Sequence, residues 1–271
     1  MWNKIEDTVK YINEVTENFS PEYGVILGSG LGGFSNDIDV KYSLSYSEIP
    51  NFPISTVQGH KGALLFGYIG SKRVVAMQGR FHYYEGYDMK QVTFPVRVMK
   101  YLGICVLIVS NASGGVNPNY KVGDVVIIKD HINLMPEHPL RGHNDERFGP
   151  RFVNMSEPYY KKYIQKAKDL AKELNIDVKE GIYLGLQGPT FETLAEYKMV
   201  KALGADCVGM STVPEVIVAR HMGLNCFGVS VITDMGDEEN IDEVNHEEVL
   251  QAAKKAEPHV RNLIKNLILK L

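Results

Sequence analysis

The run Ile104-Cys-Val-Leu-Ile-Val109 is followed at once by Ser110-Asn-Ala-Ser-Gly-Gly115. An unbroken apolar run without polar alternation predicts a strand covered on both faces, as in a parallel sheet flanked by helices. The small residues after it predict a loop at the carboxyl end of that strand. The same pattern recurs outward. Upstream, Tyr23-Gly-Val-Ile-Leu27 enters Gly28-Ser-Gly-Leu-Gly-Gly33, and strands at 63–69 and 73–77 are joined by Gly70-Ser71 as a tight hairpin. Downstream, a strand at 122–128 precedes a polar, Pro-containing stretch at 133–154, a length without structure that suggests a lid or an interface. Alternation of strand and helix then resumes over 181–186, 192–203, 206–210, 214–222 and 226–232.

Helices complete the reading. Ile5, Val9, Ile12, Val15 and Phe19 fall at helical spacing before Ser20-Pro21. A helix over 88–102 must accommodate Pro95 by a kink or a late start. Ser156-Glu-Pro158 is expected to open a helix reaching Asn175, and a C-terminal helix is expected to be interrupted at Pro258. No repeat or linker divides the chain. The fold class is α/β, a single domain over 1–271 with a mixed twisted sheet surrounded by helices.

Composition narrows the partners. With 271 residues, 44% hydrophobic and 23% charged, the chain has the make-up of a globular protein able to bury a sizeable core. A net charge of -4 leaves no basic footprint for nucleic acid. No run approaches the roughly 18 apolar residues of a membrane span, and the acidic start is unlike a signal peptide. Cys105, Cys207 and Cys226 each lie among apolar residues. Three buried thiols fit a reducing cytoplasm, and their spacing makes no metal site.

Chemistry collects at the strand ends. Met77-Gln-Gly-Arg-Phe-His-Tyr-Tyr-Glu-Gly-Tyr87 presents Arg80, His82, Tyr84 and Glu85 directly after a strand. A guanidinium fork and an imidazole suit phosphate oxygens, and Tyr84 and Glu85 suit sugar hydroxyls. The same residues also fit a hairpin exit with a solvated Arg. Gly28 to Gly33 satisfies G-x-G-x-x-G, but residues 34–53 lack helical periodicity, so the dinucleotide fingerprint is without its helix. What remains is a tight turn or a backbone nest that, with the Ser29 hydroxyl, holds a phosphate. Further strand ends carry Asn111-Ala-Ser113, Gln187 to Glu192, Gly209 to Glu215 and Ile232-Thr-Asp234. Where such ends converge they build a site. Ser29, Arg80, His82 and Ser211 would take an anion, Glu192 and Asp234 supply carboxyls, and Phe191 and Met210 supply apolar walls or plain core.

These segments carry a resemblance. Leu27-Gly-Ser-Gly-Leu-Gly32, Gln58-Gly-His60, residues 78–87, Thr93-Phe-Pro-Val-Arg-Val98 and Asn111-Ala-Ser-Gly-Gly115 run in order along the chain. Asn144-Asp-Glu-Arg-Phe148, Gly188-Pro-Thr-Phe-Glu-Thr193, residues 204–220 and Asn245-His-Glu-Glu-Val249 continue the series. Together they resemble the trimeric purine nucleoside phosphorylases, the family favouring inosine and guanosine.

The resemblance implies reversible phosphorolysis of purine ribo- and deoxyribonucleosides to free base and pentose 1-phosphate, a pentosyltransferase reaction of purine salvage. It implies no metal and no organic cofactor, inorganic phosphate being a co-substrate. Phosphate would contact Ser29, His60, Arg80, His82, the backbone at Ala112, and Ser211. Ribose would lie against Tyr84, Met210 and His246, with Phe152 of a neighbouring subunit closing the pocket of a homotrimer. The base would meet Phe191, Glu192, Val208, Gly209, Thr233 and Asp234. His82, Glu85, Asp234 and His246 are the residues expected to carry catalysis. Asp234 stands where the oxopurine-specific members have Asn, so a methylthioadenosine or adenosine phosphorylase, or a broadened base range, is the alternative. A nucleoside hydrolase would have no use for the phosphate set, and a binding protein none for the nucleophile's site.

Overall fold

The structure, a computed structural model, describes residues 1–57, 61–236 and 245–271. His60 lies outside the described residues. In chain order the elements are α1 (Trp2–Val15), β1 (Tyr23–Leu27), β2 (Asp39–Ser45), β3 (Ala63–Ile69) and β4 (Lys72–Gln78). Next come α2 (Met89–Val92), α3 (Phe94–Leu102), β5 (Val106–Gly115), β6 (Val125–Asn133), α4 (Lys161–Glu173) and β7 (Val178–Gly185). The chain finishes with α5 (Leu194–Ala202), β8 (Cys207–Gly209), α6 (Val213–His221), β9 (Asn225–Met235) and α7 (His246–Lys270).

The nine strands lie in the order β2-β3-β4-β1-β5-β8-β7-β6-β9, and β9 also pairs with β5. That extra pairing closes β5, β8, β7, β6 and β9 into a ring, from which β1, β4, β3 and β2 extend as an open sheet. β1 runs parallel to β4 and β5, and β5 runs parallel to β9. The carboxyl ends of these four strands therefore reach one edge together, where open α/β sheets hold their ligands. The apolar run at the start of β5 is its most protected part, with Leu107, Ile108 and Val109 fully buried between layers.

Several expectations shift. Residues 110–115 are not a loop: they continue β5, paired with β9 and, at Gly114 and Gly115, with β8. Small side chains let both neighbours approach, and the polar groups of Asn111 and Ser113 are satisfied inside by Thr212 and Ser230. Residues 34–53 contain an edge strand, β2, in which Val40, Tyr42 and Leu44 alternate with polar residues at the strand period, a signal that helical periodicity does not register. The 88–102 helix breaks at Thr93, which places Pro95 in the first turn of α3, where its missing N–H costs nothing. The helix after Pro158 starts later, at Lys161. Conversely α7 runs unbroken through Pro258, held by buried Val260, Leu263, Ile264, Leu267 and Ile268. Cys105 is exposed, since it precedes β5, whereas Cys207 and Cys226 are buried. Gly70-Ser71 forms the expected two-residue hairpin, and 134–160 holds neither helix nor strand. No helix among the described residues is long and apolar enough to cross a membrane.

Candidate active site

A cavity of about 450 Å³ opens where those strand ends meet. Its wall includes Ser29, Arg80, His82, Tyr84, Glu85, Ala112, Phe191, Glu192, Val208, Gly209, Met210, Ser211, Thr233, Asp234 and His246. The fold thus gathers every sequence-assigned residue except His60, which is not described, and Phe152.

β5 measures the length of the site. Near one end Arg80 Nη1 donates to the Ser110 carbonyl at 2.6 Å. At the other, Gly114 pairs with Asp234 across the β5–β9 ladder. Four residue steps at about 3.3 Å each separate Ser110 from Gly114, or about 13 Å. The spacing suits an anion at one end and a flat ring at the other, with a sugar between.

The anion end is tightly built. Gly28 follows β1 against β5, and a Cβ there would come within 2.7 Å of Asn111 Cα and the Ser110 carbonyl, so glycine lets the loop holding Ser29 approach. Arg80 is 1% exposed and turns its fork toward the protein: Nε and Nη2 donate to Glu215 Oε1 and Oε2 at 3.0 and 2.9 Å. Its Nη1 edge faces Ser110 and the Ser211 hydroxyl, the latter at 3.3 Å. The fork assigned from sequence to phosphate oxygens is therefore engaged by Glu215. Arg80 presents to the cavity its charge and the Nη1 edge.

Ser211 stands on a strained turn. Thr212 has φ +68, unfavourable for a β-branched residue by about 1–3 kcal/mol. Three contacts hold it: Asn111 Nδ2 donates to its hydroxyl at 2.8 Å, its N–H donates to Glu215 Oε2 at 3.0 Å, and its hydroxyl lies 3.0 Å from that of Ser211. Strain kept by so many partners fits a residue whose neighbour must point into the cavity.

His82 and Glu85 form a fixed pair. Glu85 Oε1 accepts from the His82 N–H at 2.8 Å and lies 3.1 Å from its Nδ1. Thr56 donates to Oε2 through its N–H and hydroxyl, at 2.9 and 2.6 Å. Burial pushes the Glu85 carboxyl up, but these hydrogen bonds outweigh it and bring it down to about 2. Burial also lowers His82, against the raising pull of Glu85. A neutral ring whose Nδ1–H donates to an ionised Glu85 keeps Nε2 as an acceptor. Tyr84 stacks on His82 at 4.7 Å, continuing the wall toward the sugar region.

At the base end a bulge does the aiming. Ser113 pairs with Ile232 and Gly114 with Asp234, leaving Thr233 as the extra residue of β9. Strict alternation would send Thr233 and Asp234 to opposite faces; the bulge allows both to line the cavity. Burial raises Glu192 to about 7, with the charge of Asp234 contributing, and burial raises Asp234 as well. Phe191 is 39% exposed and Met210 only half-buried, so both are wall rather than core. His246 opens α7 behind its cap Asn245, whose Oδ1 accepts from the Glu248 N–H at 2.9 Å.

Phe152 is 89% exposed and lies away from this cavity, in a second depression that includes His131, His138, Arg141 and Arg151. Sequence reasoning missed Glu215, Tyr197 and Thr56. Glu215 had a local signal, since Thr212-x-x-Glu215 is a capping box that starts α6. Tyr197 and Thr56 had none, because only the docking of α5 and of the 52–57 segment brings them in. Among the described residues no group of three or more His, Cys, Asp or Glu could hold a metal ion.

Comparison with known proteins identifies the family. The family described as Phosphorylase superfamily matches residues 22–269. Purine nucleoside phosphorylase 1 of Geobacillus stearothermophilus is 48% identical over 264 residues, covering 97% of this chain and 96% of its own length. Isoform 2 of purine nucleoside phosphorylase from Schistosoma mansoni, solved with cytosine and ribose-1-phosphate, superposes with a TM-score of 0.94 at 42% identity, over 100% of this chain and 97% of that one. The Schistosoma mansoni purine nucleoside phosphorylase solved with adenosine gives 0.93 and 42%, over 99% of this chain and 97% of that one. The chain belongs to the phosphorylase superfamily and, within it, to the purine nucleoside phosphorylases.

Proposed function

We propose that the enzyme carries out reversible phosphorolysis of purine nucleosides, with inosine and guanosine as its first substrates and phosphate as the only co-substrate. The observation that carries this reading is one cavity with a cationic, hydroxyl-rich end and a carboxyl-bearing end about 13 Å apart along β5. A hydrolase would not need the first end. The ribose-1-phosphate complex of the Schistosoma mansoni relative is in keeping with it.

In this reading phosphate lies against Ser29, the Ala112 backbone, Ser211 and the Nη1 edge of Arg80, and its one O–H donates to His82 Nε2. It attacks C1' of the sugar as the C1'–N9 bond breaks, so the ribosyl centre passes through an oxocarbenium-like state. The bound dianion balances that positive centre, a preorganised electrostatic effect, and Glu192 and Asp234 hold the edge of the purine in place as its bond to the sugar breaks. The Arg80–Glu215 and His82–Glu85 pairs hold their groups in place before substrate arrives, which orients the nucleophile. Tyr84, Met210 and His246 border the sugar.

A homotrimer in which Phe152 covers a neighbour's sugar is part of the proposal. A ring 89% exposed and outside its own chain's cavity supports it. A cytoplasmic setting is also proposed, supported by the buried free thiols of Cys207 and Cys226. Base release from inosine, guanosine and adenosine, with and without phosphate, tests the main reading. Turnover of all three without phosphate would overturn it. A second reading, a site opened to 6-aminopurines, is favoured by Asp234 itself, since a carboxylate accepts from an amino group.

A further inference from the structure

The base end of the cavity contains a phenol with no evident task in phosphorolysis. Tyr197 lies on α5, 3% exposed, with its Oη 3.2 Å from Asp234 Oδ2 and in hydrogen-bond contact with Glu192. It cannot swing aside: a Cβ at Gly236 would come within 2.3 Å of Tyr197 Cδ1 and Cε1, so the ring is pressed against that backbone. Thr233 Oγ1 lies 2.9 Å from Asp234 Oδ1 and 3.3 Å from the Ser113 carbonyl, and its one proton favours the nearer, charged acceptor. Both oxygens of Asp234 thus face hydroxyl groups, which suits an acceptor-only carboxylate. Glu192 shares one of those hydroxyls and has burial and the nearby charges of Asp234 and Glu196 against its ionisation.

Two carboxyls sharing one small site favour a state with a single proton between them. We propose that Tyr197 is a specificity-determining residue: with Thr233 it fixes Asp234 as the acceptor of the pair and leaves the shared proton on Glu192, the pattern complementary to the amino group and bare N1 of a 6-aminopurine nucleoside. This rests on the phosphorolytic reading above and specifies its base range. A 6-oxopurine carries hydrogen on N1 and needs Glu192 as an acceptor. Loss of the shared proton therefore favours the oxo base, and its return favours the amino base. Among the described residues, the ionisable groups facing the pair are Glu192 and Asp234 themselves, Tyr197 and Glu196 of α5, and His246 of α7 across the cavity. Burial holds the Tyr197 phenol far above its ordinary value, so it remains a donor throughout.

The test is kcat/KM for adenosine and inosine at saturating phosphate from about pH 6 to about pH 9, in the wild type and in Tyr197→Phe. The adenosine-to-inosine ratio of the wild type should fall at least about tenfold as pH rises across that range. In Tyr197→Phe the ratio at the acid end should fall about tenfold, with inosine within about threefold of wild type. Calorimetry of adenine and hypoxanthine binding reads the same end without catalysis, and Tyr197→Phe should weaken adenine alone. A wild-type ratio flat in pH overturns the proposal, even should the variant fold poorly. Equal losses for both nucleosides and both bases overturn it as well, since they mark Tyr197 as only a structural support. Absence of phosphate-dependent cleavage of either nucleoside would instead remove the phosphorolytic reading, leaving the two bases to decide the role of Tyr197.

Discussion

Arg80 and Glu215, 135 positions apart in the chain, meet through two near-parallel hydrogen bonds at 3.0 and 2.9 Å, both side chains almost wholly buried. The pair joins the end of β4 to the first turn of α6. The same Glu215 carboxylate accepts from the N–H of strained Thr212, and Arg80 touches Ser211. One ion pair therefore fixes the strand end, the turn and the serine hydroxyl that together form the anion end.

Removing either partner should do more than weaken phosphate. Arg80→Ala leaves a buried carboxylate uncompensated, a loss of about 3–5 kcal/mol in stability. Phosphate use should fall by roughly one to two decades in kcat/KM. Arg80→Lys should keep part of the charge while losing the fork, and fall between. Denaturant midpoints together with phosphate titrations check both effects. A folded Arg80→Ala enzyme with unchanged phosphate affinity contradicts the assigned site.

Glu192 makes stability depend on pH. Its folded carboxyl is raised by burial to about 7, so the folded state holds a proton that the unfolded chain releases near the ordinary value of 4.5. The group's contribution is fully present below that ordinary value and is lost as pH rises through about 7. Glu192→Gln mimics the protonated form and should be more stable than wild type at alkaline pH, by about 1–3 kcal/mol, and little different in acid. Urea midpoints of both proteins at about pH 5 and about pH 8 show whether the gap opens in that direction.

Asn111 bridges two buried hydroxyls: its Nδ2 donates to Thr212 Oγ1 at 2.8 Å, and its Oδ1 accepts from Ser230 Oγ at 2.6 Å. Asn111→Ala should cost about 1–3 kcal/mol for each partner left unsatisfied. With Thr212 released from its positive φ, Ser211 should lose its aim and the KM for phosphate should rise more than that for the nucleoside. Thermal melting and separate titrations of the two substrates distinguish this from general damage.

Phe152 offers a test of assembly. At 89% exposure its truncation should leave the fold of one chain intact, so Phe152→Ala should melt within about 0.5 kcal/mol of wild type per chain. The nucleoside KM should nevertheless rise about tenfold or more through loss of the neighbour's ring. Mixing this variant with an Asp234→Ala variant should restore activity at shared sites. Light scattering that finds a fully active monomer excludes the arrangement.

Much of the site could be read along the chain because its residues sit directly after buried apolar strands. Arg80 and His82 follow β4, Ser29 follows β1, and Ser211 follows β8. Residues 110–115 look like a loop because small and polar residues weaken the strand pattern, yet they are covered on both sides and satisfied from within. β2 did carry a local signal, since Val40, Tyr42 and Leu44 alternate with polar residues, but it is short and mostly exposed at the sheet edge, and only its pairing with β3 gives it a place.

The α/β class, the strand–loop grammar and the chemical kinds of group at the strand ends are legible along the chain, since burial on two faces and the spacing of apolar residues are local properties. Tertiary structure decided which of those groups are engaged with each other. The turning of Arg80 toward Glu215, the bulge that aims Thr233 and Asp234 together, and the wedging of Tyr197 between the two carboxyls all depend on contacts between distant segments. A hydrogen bond is fixed by distance and angle to within tenths of an ångström, and that information exists only once the strands and helices have packed.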